Sequence, residues 1–201
     1  TIVGSIHVPM SSDAVTLTVG DQVAYLAGGN VTAVDVSDPT ALSIQGTWDD
    51  VSSATALRRN GSGVALVADD TQGIGVYDVS DEPSLLTTID TSAAPTDLVI
   101  AGGIAYVASG DTGLQVVNYL PFDSAGVAPS LVVSTDELDE DPATEGIQVT
   151  EGTALHLDVA VSDDVQVRNV ELLLDGAVIR NDVTFPFDTY VRVSQRAANK
   201  T

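Results

Sequence analysis

The sequence predicts an all-β fold made of four-stranded antiparallel units of the propeller-blade kind. A unit of about forty residues occurs three times, its strongest strand starting at Val23, Val64 and Ile104, 41 and 40 residues apart. A period of that size marks a repeat architecture. Within each unit, short β-branched or alternating runs are separated by turns bearing glycine and aspartate. No apolar pattern is long enough for a helix of ten residues. Four antiparallel strands in about forty residues describe a propeller blade. A parallel β-helix would need shorter rungs.

Each unit opens with a short strand, expected over residues 15–19, 54–57 and 97–100. Turns follow at Gly20-Asp21, Asn60-Gly61-Ser62-Gly63 and Gly102-Gly103, all tolerant of the positive φ a tight hairpin demands. The second strand, at 23–27, 64–68 and 104–108, is rich in small and β-branched residues suited to a buried sheet. An acidic, glycine-bearing turn comes next, over 69–73 and 109–113, shortened to Gly28-Gly29-Asn30 in the first unit. Third strands are expected over 31–36, 74–79 and 114–119; the first two run into Ser37-Asp38-Pro39 and Ser80-Asp81-Glu82-Pro83. Proline cannot donate to a ladder and stops the strand. Fourth strands are expected over 42–48, 84–89 and 131–134.

The words VAYLA, VALVAD and IAYVASGDTGLQVV, with VDVSDP and YDVSDEP after them, resemble the LVIVD-repeat propellers of bacteria and archaea. Asp35 and Asp78 fall on that family's strand-end aspartate, and Asn118 replaces it in the third unit. The resemblance spans residues 1–134. It implies a surface-exposed or secreted protein and brings no shared enzyme chemistry.

Three units fall short of the four blades that propellers ordinarily need. The opening words IVGSI resemble the fourth-strand words IQGTW from Ile44 and LLTTI from Leu85. Residues 2–7 are therefore expected to be the last strand of a preceding blade. An incomplete propeller follows, completed by other domains or chains, since bare sheet edges and faces are a liability.

After Ser134 the pattern changes. Asp136, Glu137, Asp139, Glu140 and Asp141 put five carboxylates into six residues, and Pro142 follows. Residues 135–144 are expected to be an acidic linker. Strands are then expected over 147–149, 154–161, 165–167, 170–174, 177–180 and 185–193, with a turn at Asp175-Gly176. The words ALHLDVAVSDDVQVRNVELLLDGAVIRNDVTFPFDTY resemble bacterial immunoglobulin-like modules, without the glycine expected after the Ser-Asp turn. A full sandwich takes about a hundred residues. Residues 145–201 are therefore expected to be a partial immunoglobulin-like β-sandwich. Residues 194–201 fit no strand, and both ends are expected to belong to a longer multidomain chain.

Composition narrows the function. There are 29 acidic residues against 7 basic ones, a formal net charge of -22. Such a surface repels phosphate backbones, so nucleic acid is not an expected partner. No apolar run approaches the ~18 residues of a membrane span, so direct insertion is not expected. With no cysteine and two histidines, His7 and His156, neither thiolate metal sites nor a paired-histidine motif is available. No nucleophile–base motif or phosphate loop is present. The cation the carboxylates suit is calcium, which takes about six to eight oxygen ligands. The candidate ligands are Asp136, Glu137, Asp139, Glu140 and Asp141 at the junction, with Asp163 and Asp164 from a sandwich turn facing them. A mobile acidic linker is the alternative. Asp69, Asp70 and Asp111 are candidates for shallower turn sites. Trp48 with Tyr25, Tyr77, Tyr106 and Tyr119 is read first as packing between blades, then as an aromatic groove.

The function expected is a non-enzymatic extracellular or cell-surface structural or adhesion module, a rigid propeller joined to immunoglobulin-like spacers. The alternative is a propeller that binds a glycan or a surface protein. A hydrolase or lyase with its catalytic groups outside these residues ranks third.

Overall fold

The computed structural model describes residues 1–12, 16–20, 22–80, 82–119, 126–163 and 166–192. Val15, Asp21, Asp81, Asp164, Val165 and the tail from residue 193 lie outside the described residues. The chain is all-β. The first sheet runs in order β1 (Thr16–Gly20), β2 (Val23–Gly28), β3 (Asn30–Asp35), β4 (Ser43–Trp48). The second repeats it with β5 (Ala54–Arg59), β6 (Val64–Asp69), β7 (Gly73–Asp78) and β8 (Ser84–Ile89). Every neighbour is antiparallel, and β3–β4 and β7–β8 shift register at the same place, after Ala33 and after Val76. The two blades share that irregularity, and the second adds a register shift of its own between Ala54 and Ala56 in β5–β6.

The aspartate at the end of each third strand shapes the turn that follows. Asp35 accepts the Ser37 backbone N–H at 2.9 Å, and Asp78 accepts that of Ser80 at 2.9 Å. This Asx turn ends the strand and aims the chain toward the fourth. The hydrogen bonds from Ser37 hold the Asp35 carboxyl below its usual value, and those from Thr40 do the same for Asp38.

The third sheet departs from expectation. It holds β9 (Asp97–Ala101), β10 (Ile104–Ser109) and β11 (Gly113–Val117), in order β11-β10-β9. The fourth strand expected at 131–134 forms, as β12 (Ser130–Ser134), but pairs with β13 (Ala154–Ser162) of the second region. Apolar matching accounts for this. Leu131 stands opposite Val161 and Val133 opposite Val159. Leu131 and Val133 line an apolar hollow with Leu157, Val159 and Phe187. Cross-strand apolar pairs of this kind stabilise a sheet.

The second region is a small sandwich. β12 and β16 (Thr189–Arg192) flank β13, and β14 (Val170–Leu174) pairs with β15 (Ala177–Asp182). Asp175 and Gly176, at φ 51° and 78°, make the two-residue turn between them. Its core gathers Val159, Val167 and Phe187. Three expected strands differ: of 165–167, the described residues Gln166 and Val167 join no ladder. Residues 147–149 join no ladder, and the strand expected from 185 starts only at Thr189. Pro186, lacking an N–H, keeps the residues before it out of the ladder.

Blades stand side by side around the first strand of each, with β1 beside β5 and β5 beside β9. Between blades 1 and 2, Tyr25, Val31 and Trp48 meet Leu57, Val67 and Tyr77. Between blades 2 and 3, Leu66, Ile74 and Val76 meet Leu98, Val107 and Tyr119. Burying one such aliphatic side chain stabilises by ~1.5–3 kcal/mol. Residues 1–10 belong to no ladder, so the strand expected over 2–7 is not formed. The segment still lies against blade 1. Gly4 sits against the Pro39 carbonyl, and the Ser12 N–H donates to Gly28 O at 3.2 Å. It therefore runs along blade 1 from its β3–β4 turn to its β2–β3 turn.

Candidate functional site: the module junction and the open blade faces

The turns between the first two strands of each blade all lie at one end of the propeller, and the immunoglobulin-like region sits on all three. The Phe185 ring lies against Gly20 of the first turn. Gly61 of the second has φ 80°, and a Cβ there would come within 2.8 Å of both the Phe185 and Phe187 rings. Only glycine fits that backbone and that approach. The Gly63 N–H donates to Asp163 O at 2.9 Å, and the Gly102 N–H of the third turn donates to Val183 O at 2.9 Å. The Gln166 side-chain amide donates to Gly103 O. Among the described residues the two regions thus meet through backbone bonds, the Gln166 amide and ring contacts.

Two adjacent arginines tie the blades together. The Arg58 guanidinium donates to Thr16 Oγ1 of blade 1 at 3.2 Å and to Asp97 Oδ1 of blade 3 at 3.0 Å. It spans three inner strands from the middle one. Arg59 lies over the Tyr25 ring at 5.5 Å and over the Phe185 ring at 5.9 Å, between blade 1 and the second region. A cation held against aromatic faces adds ~0.5–2 kcal/mol depending on its exposure. The sequence offered one signal for these roles: they are the first two basic residues in a strongly acidic chain.

Behind the second turn, Asn60 Nδ2 donates to the Tyr119 hydroxyl at 2.6 Å in a fully buried contact between blades 2 and 3. Burial pushes the Tyr119 hydroxyl up to about 12, against the pull of its bonds with Asn60 and Gln166. Tyr77 is likewise pushed up to about 12 by burial and, after that, by Asp50 and Asp69. Tyr25, Trp48 and Tyr77 pack ring to ring between blades 1 and 2, with centroids 5.9 and 5.0 Å apart. All three are buried between the blades, as packing requires, and Tyr25 and Trp48 also line a hollow of about 340 Å³ with Gly46, Glu82 and Pro83.

The candidate calcium ligands occupy local turns. Asp139 Oδ1 accepts the backbone N–H of Asp141 and of Gln148, at 3.0 and 3.1 Å. Asp141 accepts from Ala143 N–H and the Thr144 hydroxyl, Glu140 takes the Thr150 hydroxyl, and Thr135 Oγ1 accepts the Glu137 N–H. Asp136 lies 3.6 Å from His156 Nδ1, and His156 stacks on Tyr190. Asp163 Oδ1 accepts the Gln166 N–H at 3.2 Å. Among the described residues, no three acidic or histidine side chains gather as a metal site would require. Asp69 is buried, which opposes its charge. The hydrogen bonds from Thr71, Ser53 and Gln72 outweigh that and hold its carboxyl below the usual value. Asp70 instead lines a shallow polar hollow of about 520 Å³ with Ser11, Ser53 and Thr96, at the end away from the second region.

The faces of the blade stack are unequal. Ile74 of blade 2 and Val31 of blade 1 are fully buried, while Leu114 at the same position of blade 3 is 67% exposed. Val76 is fully buried and its counterpart Val116 is 61% exposed. At the other end of the stack, Leu17 is 59% exposed where its counterparts Leu57 and Leu98 are sealed. Both ends present blade-packing residues to solvent.

This is the build of a repeat-blade protein carrying an immunoglobulin-like domain. Comparison with known families agrees: the LVIVD repeat matches residues 13–50 and 94–136, and the bacterial Ig domain Big_7 matches residues 142–201. The chain contains an LVIVD-repeat region and a bacterial Ig-like domain. The repeat match reaches past blade 3 into β12, which the structure pairs with β13. No curated protein matches the chain. Among solved structures, the computationally designed Ika4 protein is 18% identical with a TM-score of 0.47, over 56% of this chain and 69% of its own. The designed Ika8 protein is 14% identical with a TM-score of 0.49, over 87% of this chain and 50% of its own. This chain therefore spans half the length of the latter.

Proposed function

We propose that the chain is a rigid, non-enzymatic structural or adhesion unit of an extracellular or cell surface. The observation behind this is the junction, where one domain is seated on all three equivalent turns of the other. A domain held only by its linker would leave those glycines bare. The acidic coat, with net charge -22, keeps such a unit soluble and away from anionic surfaces. No helix among the described residues is long and apolar enough to cross a membrane.

Backbone nitrogen-15 relaxation tests the rigidity. Both domains are expected to tumble with one correlation time, and Phe185→Ala, which removes the ring from Gly20, Gly61 and Arg59, is expected to split it into two. Two correlation times in the unaltered chain would end the reading. Protease treatment of intact cells is expected to remove the protein if it stands at the surface. A second reading, a propeller that takes a glycan or a surface protein, is supported by the polar hollow at the uncovered end.

A further inference from the structure

Blade 1 departs from blade 2 at one cluster of positions. Across its β3–β4 ladder Ala33 stands opposite Gly46, where blade 2 has Val76 opposite Thr87. Tyr25 and Trp48 take the places of Leu66 and Ile89. At the register shift the extra residue is Gln45 in blade 1 and Leu86 in blade 2. Small and polar groups thus stand where the other blade is more aliphatic. Beside them is a hollow of about 340 Å³, between β4 and the blade 2 turn that carries Glu82 and Pro83. A Cβ on Gly46 would meet no atom within 4 Å, and its φ lies outside the left-handed region. Glycine there serves the hollow and not the backbone.

The lining is mixed. Ala33, Val79 and Pro83 are apolar. Gln45 brings an amide that donates and accepts, and Glu82 a carboxylate that accepts. Trp48 lines the hollow too, and at 3% exposure it has no open face for stacking. Its Nε1 is buried and has no acceptor among the described residues. A buried donor in that state is rare and costly, and an oxygen seated beside Trp48 removes the cost. These groups select among ligands. Glu82 and the net charge of -22 turn anions away. A bare cation suits Glu82 but brings no oxygen for the indole. A sugar ring serves every group: its hydroxyls accept from Trp48 and Gln45 and donate to Glu82, while its C–H groups lie on Val79 and Pro83.

We propose that this hollow binds one uncharged sugar unit of a glycan, held by Trp48, Gln45 and Glu82. Its volume is at the small end of the roughly 300–1,000 Å³ typical of ligand pockets, the scale of one or two rings. The residues around it come from blades 1 and 2, which are packed on each other by a shared core. The site is separate from the polar hollow at the uncovered end, and it leaves the rigid-unit reading untouched.

Trp48 is the one tryptophan of the chain, so its indole N–H resonance reports on the hollow alone. The probes are the methyl glycosides of glucose, galactose, mannose and N-acetylglucosamine, with tetramethylammonium and triproline as a cation and a peptide. At least one glycoside is expected to move the indole resonance saturably, with half-saturation in the millimolar range. Gly46→Val, which fills the hollow where there is room for the side chain, is expected to abolish that shift with an unchanged circular dichroism spectrum. Gln45→Ala and Glu82→Ala, both exposed positions that leave the hollow open, are expected to weaken binding by about threefold to tenfold each. An indole resonance that no glycoside moves, or a shift that survives all three substitutions, would overturn the proposal. So would a stronger response to tetramethylammonium or to triproline, which would give the hollow to a cation or to a peptide. None of these outcomes alters the common tumbling of the two domains, so failure of the sugar site is told apart from failure of the rigid unit.

Discussion

Blades 2 and 3 are built on one pattern, yet blade 2 is sealed on both faces and blade 3 on one. Leu66, Ile74 and Val76 of blade 2 are packed against blade 3. Tyr106, Leu114 and Val116, at the same positions one repeat later, face solvent. A repeat residue therefore has no fixed energetic weight. Its weight is set by whether the next unit is there, which is the nearest-neighbour behaviour expected of stacked repeats.

The sharpest break of this comparison is a matched pair of truncations. Ile74→Ala removes a fully buried side chain and is expected to cost about 2–5 kcal/mol. Leu114→Ala, at the same repeat position but 67% exposed, is expected to fall within about 0.5 kcal/mol of the parent. Urea denaturation measures both. Equal costs would mean that the Leu114 face of blade 3 is covered.

The parts of the fold that repeat were legible in the sequence, because period, turn glycines and strand-end aspartates are local signals. Asp35 and Asp78 were readable as turn formers for that reason. Ser130–Ser134 was not, because an apolar strand can complete either of two sheets and only the apolar partners on β13 decide. The junction was also hidden. Phe185 reads as a strand residue, and its contacts with Gly20 and Gly61 join positions far apart in the chain. The arginines were visible as rare charges but not as bridges. The acidic run drew attention by its density, while in the structure its described carboxylates turn largely onto their own loop.

A smaller contrast between the same two blades concerns the turn after the second strand. Asp69 ends β6 and accepts from Thr71 and Gln72 N–H at 2.9 and 3.1 Å, and from Ser53 N–H at 3.2 Å. Ser109 holds that position in blade 3, and its Oγ is buried with no hydrogen-bond partner among the described residues. Asp69→Ala is expected to cost about 1–3 kcal/mol, because buried donors lose their acceptor. Ser109→Ala is expected to be near neutral. The Asp69 carboxyl is held below its ordinary value of 3.8, so its charge stabilises the fold above that pH. That contribution is lost as pH falls through the folded value, below about 4. The difference between parent and Asp69→Ala should therefore shrink in acid and stay flat toward neutrality. Melting curves across that range measure it, and a difference that instead grew in acid would contradict the assignment.

The smallest effect is expected from calcium, and it bears on the boundary between the blades and the sandwich. An ion at about a hundred times its dissociation constant adds ~2.7 kcal/mol to stability. For a chain of this size that corresponds to a rise in melting temperature of roughly 5–10 °C. Asp139, Asp141 and Asp163 already accept hydrogen bonds from nearby backbone, and His156 stands beside Asp136. Binding would have to break several of these turns to free its ligands. The expected rise at millimolar calcium is accordingly about 1 °C or less. A rise of the full size would show the loop remaking itself around the ion, with Asp164 beside Asp163 as the natural further ligand. It would move the stiffness of the joint from the glycine turns to the acidic run. Asp139→Asn and Asp141→Asn would then abolish the rise, while Phe185→Ala would leave it intact.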